Sequence, residues 1–261
     1  MIGRRTTWAL VLALSAGANL HANRIGTPKP EFRQVYALHP NGRVVVQNLY
    51  GDVQITAWDR DQVLVQAFKK SVDPKQLDDA QIVVDSSSDL VSIRTQYAGA
   101  DAEHPASIDF RIMVPRSANL ENVKLINGGL SISGVAGPIK ASSVNGSIHV
   151  DKLEGEAELS TVNGRLDAGF DRVSRGVHGI HLSSVNGSIH LTIPANADAI
   201  LDARNLSGGI ESTFGRPWRA SDGHRLKASL NRGSAPIRVH NVNGGITIKT
   251  TWSKRAVRPW S

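Results

Sequence analysis

From residue 113 onward apolar and polar positions alternate in short bursts, and a glycine turn interrupts each burst. In SSVNGSIHV (142–150) the turn is preceded by Ile139 and Ala141 and followed by Ile148 and Val150. In SSVNGSIHL (183–191) the same places hold Ile180 and Leu182, then Ile189 and Leu191. A looser copy, STVNGRLDA (160–168), lies between them with Ala157, Leu159, Leu166 and Ala168. Side chains alternate across a strand, so a period of two puts these apolar positions on one face and the polar residues between them on the other. Each unit is therefore predicted to be two short strands joined by a turn, with one face buried. LINGGLSIS at Leu125, NLSGGIEST at Asn205 and NVNGGITIK at Asn241 extend the series. The first glycines of the turns are Gly128, Gly146, Gly164, Gly187, Gly208 and Gly244, at steps of 18, 18, 23, 21 and 36, which describes an 18-residue unit with loops inserted.

Two architectures can be built from such units. Asn-Gly is the strongest short signal for a type I′ hairpin, which would give an antiparallel meander. Alternatively each unit is one coil of a β-solenoid, and the turns stack as corners. Val precedes the turn at positions 144, 162, 185 and 242, Asn opens it at 127, 145, 163, 186 and 243, and a small hydroxyl stands two before it at Ser143, Thr161 and Ser184. Coils stacked at about 4.8 Å put like on like, and stacked Asn side chains can hydrogen-bond as a ladder. Hairpins need no such columns, so the expected fold is all-β, a single-domain, parallel β-helix-like solenoid. MVPRSANLENVKLINGGLSI (113–132) is answered by TIPANADAILDARNLSGGIES (192–212), a sign of internal duplication.

The first part of the chain is less regular. GRVVVQNLYGDVQITAW (42–58) reads as an early coil, with further strands near Val63 to Phe68, Ile82 to Asp85, Leu90 to Thr95 and Ile108 to Met113. Asp73 to Ala80 suits one short helical turn, with Asp73 at its start and Pro74 in its first position. This part is expected to cap the stack, whose end would otherwise be an open sheet edge. The expected organisation is a signal peptide (1–22), a linker (23–33), a repeat domain (34–250, irregular over 34–112 and regular over 113–250) and a basic tail (251–261).

Composition supports many short strands: aromatic residues make up 5% of the 261, and there are 24 glycines. Arg4 and Arg5, an apolar run from Thr6 to Ala18 and a small-residue site at Leu20-His21-Ala22 have the form of an export signal. The run is short of the roughly 20 residues that a membrane span needs. With no cysteine the chain has no disulfide, so burial and hydrogen bonding alone must hold it. The net charge of +7 falls to +5 without the signal. Outside the cytoplasm such a balance favours anionic envelope polymers, polysaccharide or a membrane surface over nucleic acid. In the tail, Trp252 and Trp260 flank three cationic side chains, a set suited to an anionic surface, although a solvated terminus is the simpler reading.

NGRVVVQNLYGDVQITAW, RIMVPRSANLENVKLINGGLSISG, KASSVNGSIHV, STVNGRLDA and NRGSAPIRVHNVNGGITIK together resemble the bacterial putative-adhesin β-strand-repeat family, a domain of unknown function. The resemblance runs from about Gln34 to Lys249 and rests on the whole series of G-x-I-x-I units. It implies an extracytoplasmic β-solenoid, fused elsewhere in the family to envelope-stress or membrane-associated modules. It supplies no catalytic residues.

No nucleophile elbow, phosphate-cradling glycine loop or closely spaced metal-ligand motif is present. No catalytic, cofactor-binding or metal residue is therefore expected, and no cofactor. One constellation stands apart. Three residues after each turn's first glycine, on the outward face, come Ser131, His149, Asp167, His190, Glu211 and Thr247. Stacked in sequence order, His149, Asp167, His190 and Glu211 would form a column of two imidazoles and two carboxylates, the donor types of a Zn²⁺ site. The plainer reading is that alternating sign avoids like-charge stacking on a solvated face. Trp58, Trp218 and Trp252 are candidates for stacking on sugar rings, and FGRPWRASDGHR (214–225) is the best candidate for a functional loop. The expected function is a non-enzymatic, exported envelope-binding or scaffolding module of adhesin-like type. The alternatives are an envelope-stress sensing partner of a membrane regulator and, further off, a polysaccharide-active β-helix enzyme.

Overall fold

The structure, a computed structural model, describes residues 31–71, 75–98, 106–173, 178–213 and 223–251. The signal peptide, the basic tail with Trp252, Asp73 with Pro74, and most of the 214–225 loop with Trp218 lie outside the described residues. β1 (Phe32–Ala37) is followed by β2 (Arg43–Tyr50), β3 (Val53–Trp58) and β4 (Gln62–Lys70). α1 (Lys75–Asp79), within the stretch expected to turn helically, leads to β5 (Ala80–Ser86), β6 (Leu90–Tyr97) and β7 (Ser107–Pro115). Strand pairs then follow, each passing through a glycine turn: β8 (Asn119–Asn127) with β9 (Leu130–Ser133), β10 (Ile139–Asn145) with β11 (Ile148–Leu153), and β12 (Ala157–Asn163) with β13 (Leu166–Phe170). They continue with β14 (Ile180–Asn186) and β15 (Ile189–Pro194), then β16 (Ala199–Ser207) and β17 (Ile210–Ser212). β18 (Arg225–Leu230) precedes the last pair, β19 (Ala235–Asn243) and β20 (Ile246–Thr251).

These strands form two ten-stranded sheets. In the front sheet the order is β1-β4-β7-β3-β9-β11-β13-β15-β20-β17, and in the back sheet β18-β16-β19-β14-β12-β10-β8-β2-β6-β5. The two strands on either side of an Asn-Gly turn lie in different sheets, so the turn is a corner and the meander is excluded. Units pair in parallel and in register: Ile139 faces Ala157 and Asn145 faces Asn163 in the back sheet, while Ile148 faces Leu166 and His149 faces Asp167 in the front sheet. Antiparallel strands finish the ends, β1 and β4 at one edge of the front sheet, β5 and β18 at the two edges of the back sheet. β1 was not foreseen; an edge strand has no buried face of its own to impose alternation, and four of its six residues are exposed.

The stacking order departs from chain order at both ends. The unit β6–β7 lies outside β2–β3, and β19–β20 is inserted between β14–β15 and β16–β17. The step of 36 residues between the last two turns is the length of chain that leaves β17, runs back as β18 along the edge of the back sheet and re-enters the stack. Sequence spacing carries the unit length but not the order, because any unit offers the same backbone edge to any other.

The inward positions of both sheets share one core of aliphatic residues, with Phe110 the largest side chain fully enclosed. The corners explain the glycines. A Cβ on Gly146 would stand 1.9 Å from Gly128 O, and one on Gly164 2.2 Å from Gly146 O, so a side chain there would force adjacent units apart. Beneath most corners a buried polar group faces inward, with Leu125 in that place under the β8–β9 turn: Ser143 Oγ donates to Gly128 O at 3.2 Å and Thr161 Oγ1 to Gly146 O at 3.0 Å. Outside it runs the expected ladder, in which Asn145 Nδ2 donates to Asn127 Oδ1, Asn163 to Asn145, Asn186 to Asn163 and Asn243 to Asn186, each at 2.9 Å.

Candidate functional site

The outer face of the front sheet carries one unbroken polar column. Following the pairing across the sheet, it reads Gln66, Arg111, Gln54, Ser131, His149, Asp167, His190, Thr247 and Glu211. From Gln66 to Thr247 each position alternates with buried apolar neighbours, which hold it outward by strand geometry alone, while Glu211 lies between the half-buried Ile210 and Ser212. At about 4.8 Å per strand the column is a long, evenly spaced row of donors and acceptors.

His149, Asp167 and His190 are neighbours, as the alignment predicts. Glu211 is not: β20 enters between β15 and β17, so Thr247 stands next to His190 and Glu211 follows Thr247. This corrects the expected four-member column, and the cause is the inserted last unit. Within the remaining trio, His190 Nδ1 lies 2.9 Å from Asp167 Oδ1 and His149 Nδ1 4.0 Å from Asp167 Oδ2, while Arg165 Nε donates to Asp167 Oδ1 at 2.8 Å. Asp167 is thus a carboxylate with a guanidinium and two imidazoles around it, and one of its oxygens is already shared by Arg165 and His190. Among the described residues no three His, Cys, Asp or Glu side chains are placed to hold a metal ion.

Toward β7 the column enters a concavity of about 720 Å³ lined by Gln54, Phe68, Lys70, Asp109, Arg111, Ser131 and His149. The Arg111 guanidinium stacks over the Phe68 ring at 4.8 Å from its centroid, which exposes a cationic edge beside an apolar wall. Lys70 forms an ion pair with Asp109, and this hydrogen-bonded carboxylate raises the ammonium pKa above its ordinary value. Asp52 and Asp109 build the floor: Asp52 Oδ1 accepts from Gly129 N at 2.7 Å, and Asp109 Oδ1 accepts from Asp52 N at 3.0 Å. The two acids fix turns, leaving Arg111, Gln54, Ser131 and His149 along the open wall.

Of the tryptophans singled out in the sequence, Trp58 is the one described. It is half-buried at the end of β3, donates Nε1 to Gln62 O at 2.7 Å and has Arg60 at 5.1 Å from its ring, so it pins the β3–β4 turn. Sequence reasoning missed Arg111, Gln54 and Phe68, which lie outside the regular units. The alternation in DFRIMV already set Arg111 outward; its height in the stack could not be read while the order of units was unknown.

An all-β stack of parallel two-strand units, bearing an open polar face, defines a class of repeat protein. Residues 40–249 match the family model described as Toastrack DUF4097, and the chain belongs to that family. No curated protein matches it. Among solved structures it is similar to a "putative cell adhesion protein" from Clostridium sporogenes, at 11% identity and a TM-score of 0.45, covering 85% of this chain and 100% of that one. It is also similar to a "putative adhesin" from Bacteroides fragilis, at 14% identity and a TM-score of 0.36, covering 84% of this chain and 96% of that one.

Proposed function

We propose that the chain is a solenoid of two-strand coils that works as an exported, non-enzymatic binding or scaffolding module of the cell envelope, adhesin-like in type, and that its ligand is an extended polysaccharide laid along the front sheet. The observation that carries this reading is the nine-position polar column running into the 720 Å³ concavity. Its spacing of about 4.8 Å is close to the advance of one sugar ring, and side chains that both donate and accept suit hydroxyl groups. Arg111 adds a cation for an acidic sugar, and the Phe68 wall adds an apolar surface for a ring face. Recognition along such a face is shallow and repeated, with affinity accumulating over successive contacts.

Affinity electrophoresis through gels holding polygalacturonate, an acidic polysaccharide, or dextran, a neutral one, tests this. The protein is expected to be retarded by at least one of the two. Gln54→Ala with His149→Ala should weaken retardation about thirtyfold, at ~1 kcal/mol for each lost hydrogen bond. Arg111→Ala should weaken it selectively for the acidic polymer. Equal mobility in every gel, or retardation unchanged in both variants, would overturn the proposal.

A further inference from the structure

The outer face of the back sheet differs in character from the front. The residues just before the corners point outward there, and the pairing stacks Leu49, Ile126, Val144, Val162, Val185, Val242 and Leu206 in one line. All seven are exposed, from 36% at Val242 to 75% at Leu206. At about 4.8 Å per strand the ridge is about 29 Å long. Beside it the next outward positions are small in the middle, Ser142, Ser160 and Ser183, and form a groove of about 560 Å³ parallel to the ridge. A continuous apolar line of this length on a soluble surface marks an interaction site.

We infer that this face is an interface between two copies of the chain, with the valine ridge of each seated in the serine groove of the other. Ridge and groove have the same repeat and the same direction. A two-fold rotation about the stack axis therefore brings ridge onto groove twice over, at matched levels, as an isologous contact requires. The charges agree with this occupant. Past the serines the same row continues as Lys124 on one side and as His240 and then Arg204 on the other; these then meet the partner's ridge at Ile126, Val242 and Leu206 and not another base, so the alkyl stems of Lys124 and Arg204 lie on apolar surface. Beyond the groove Arg43 is paired with Glu121 at 3.3 Å and Lys140 with Glu158 at 2.9 Å, Arg238 lies against His181 at 2.9 Å, and Asp202 there pairs with Arg204 of the groove at 3.0 Å. A lipid surface fits less well, because the ridge is one side chain wide and bordered by hydroxyls. Ridge, groove and charged border together cover roughly 30 by 20 Å, a corrugated face on the order of the 800 Å² per partner of a standard interface.

The contact uses the back sheet alone and stands whether or not the front sheet binds sugar. Sedimentation equilibrium of the exported chain at about 100 µM, far above the Kd of a ~1 µM interface, should give twice the monomer mass. Val162→Glu with Val185→Glu should return it to monomer with an unchanged circular dichroism spectrum. Since the chain has no cysteine, single-cysteine copies add a geometric test. Val162→Cys mixed with Ser160→Cys should yield a disulfide-linked dimer under copper-phenanthroline oxidation, and either variant alone should not. A wild-type monomer at that concentration, a dimer that survives both glutamates, faster self-linking of Val162→Cys than of the mixture, or binding of a monomeric chain to phosphatidylglycerol vesicles through Val162 and Val185 would overturn the inference.

Discussion

At the residue scale the corner decides whether the units can stack. The 1.9 Å separation between a Cβ at Gly146 and Gly128 O involves backbone on both sides, so neither partner can swing away. Gly146→Ala should therefore lose ~3 kcal/mol, the upper end of ordinary substitutions, read as a fall in the urea midpoint at constant m-value. Gly245→Ala, which meets nothing within 4 Å, should stay within about 0.5 kcal/mol. The corner was also the most legible part of the sequence, because the asparagine ladder and the close backbone contact each demand one residue type and so leave columns of identity. The column beneath it was half legible. Ser143, Thr161 and Ser184 stand out as hydroxyls, yet Asn48, Asn241 and Asn205 continue the same buried position. Their Nδ2 groups donate to Gly51 O at 2.9 Å, Gly187 O at 3.0 Å and Gly244 O at 2.6 Å. At five of these positions, Ser143, Thr161, Asn48, Asn241 and Asn205, two kinds of side chain aim a donor at a glycine carbonyl, while Leu125 interrupts the column. The outward valines, by contrast, were visible as a column while their exposure was not, though alternation from the inward Ala141 and Ser143 already places Val144 outside.

At the scale of elements the strands and α1 follow from period and turn chemistry, and the edge strands depend on packing that no local pattern records. β6 shows how an element is secured near the end of the stack. Tyr97 at its last position packs edge-on against Tyr50 of β2, with ring centroids 5.5 Å apart and planes at 89°. Burial pushes the Tyr97 phenol up to about 12. The folded chain thus keeps a proton that the unfolded chain releases near pH 10, so this pair's contribution is complete below about pH 10 and lost as pH rises toward 12. Ultraviolet titration of the native protein should show a phenol ionising near pH 12 that is missing in Tyr97→Phe. Tyr97→Phe should flatten the decline in stability over that window while leaving stability at pH 7 little changed. At the opposite end β18 is tied to β16 by Asp202, whose carboxyl is held below its ordinary pKa by its hydrogen bond from Arg204 and by Arg225 and Lys227 nearby. Charged edge strands of this kind also discourage further strand addition.

At the scale of the whole molecule the permuted order matters more than the number of units. A simple stack loses only its last layer when its last residues are removed, since each repeat touches its neighbours alone. Here removal of the chain from Ala235 onward would withdraw an interior layer, parting β16 from β19 over eight paired positions and β14 from β19 over six. Hydrogen exchange should accordingly find the amides that β14 and β16 bond to β19 unprotected in a chain truncated before Ala235, while β10 and β12 remain protected. If those amides of β16 stayed protected, β16 would have to close directly onto β14, and order would be set by availability and not by identity. The sequence could not reveal this arrangement, because the inserted unit repeats the same motif as those on either side. One consequence concerns how the molecule is made. A ribosome delivers β16 and β17 before β19 and β20, so the nascent protein carries an interior gap until β19 and β20 arrive, and a copy stopped short of them exposes two apolar flanks to proteases. The inserted unit acts as a keystone: until it is in place, the layers on either side of it have no neighbour to close on.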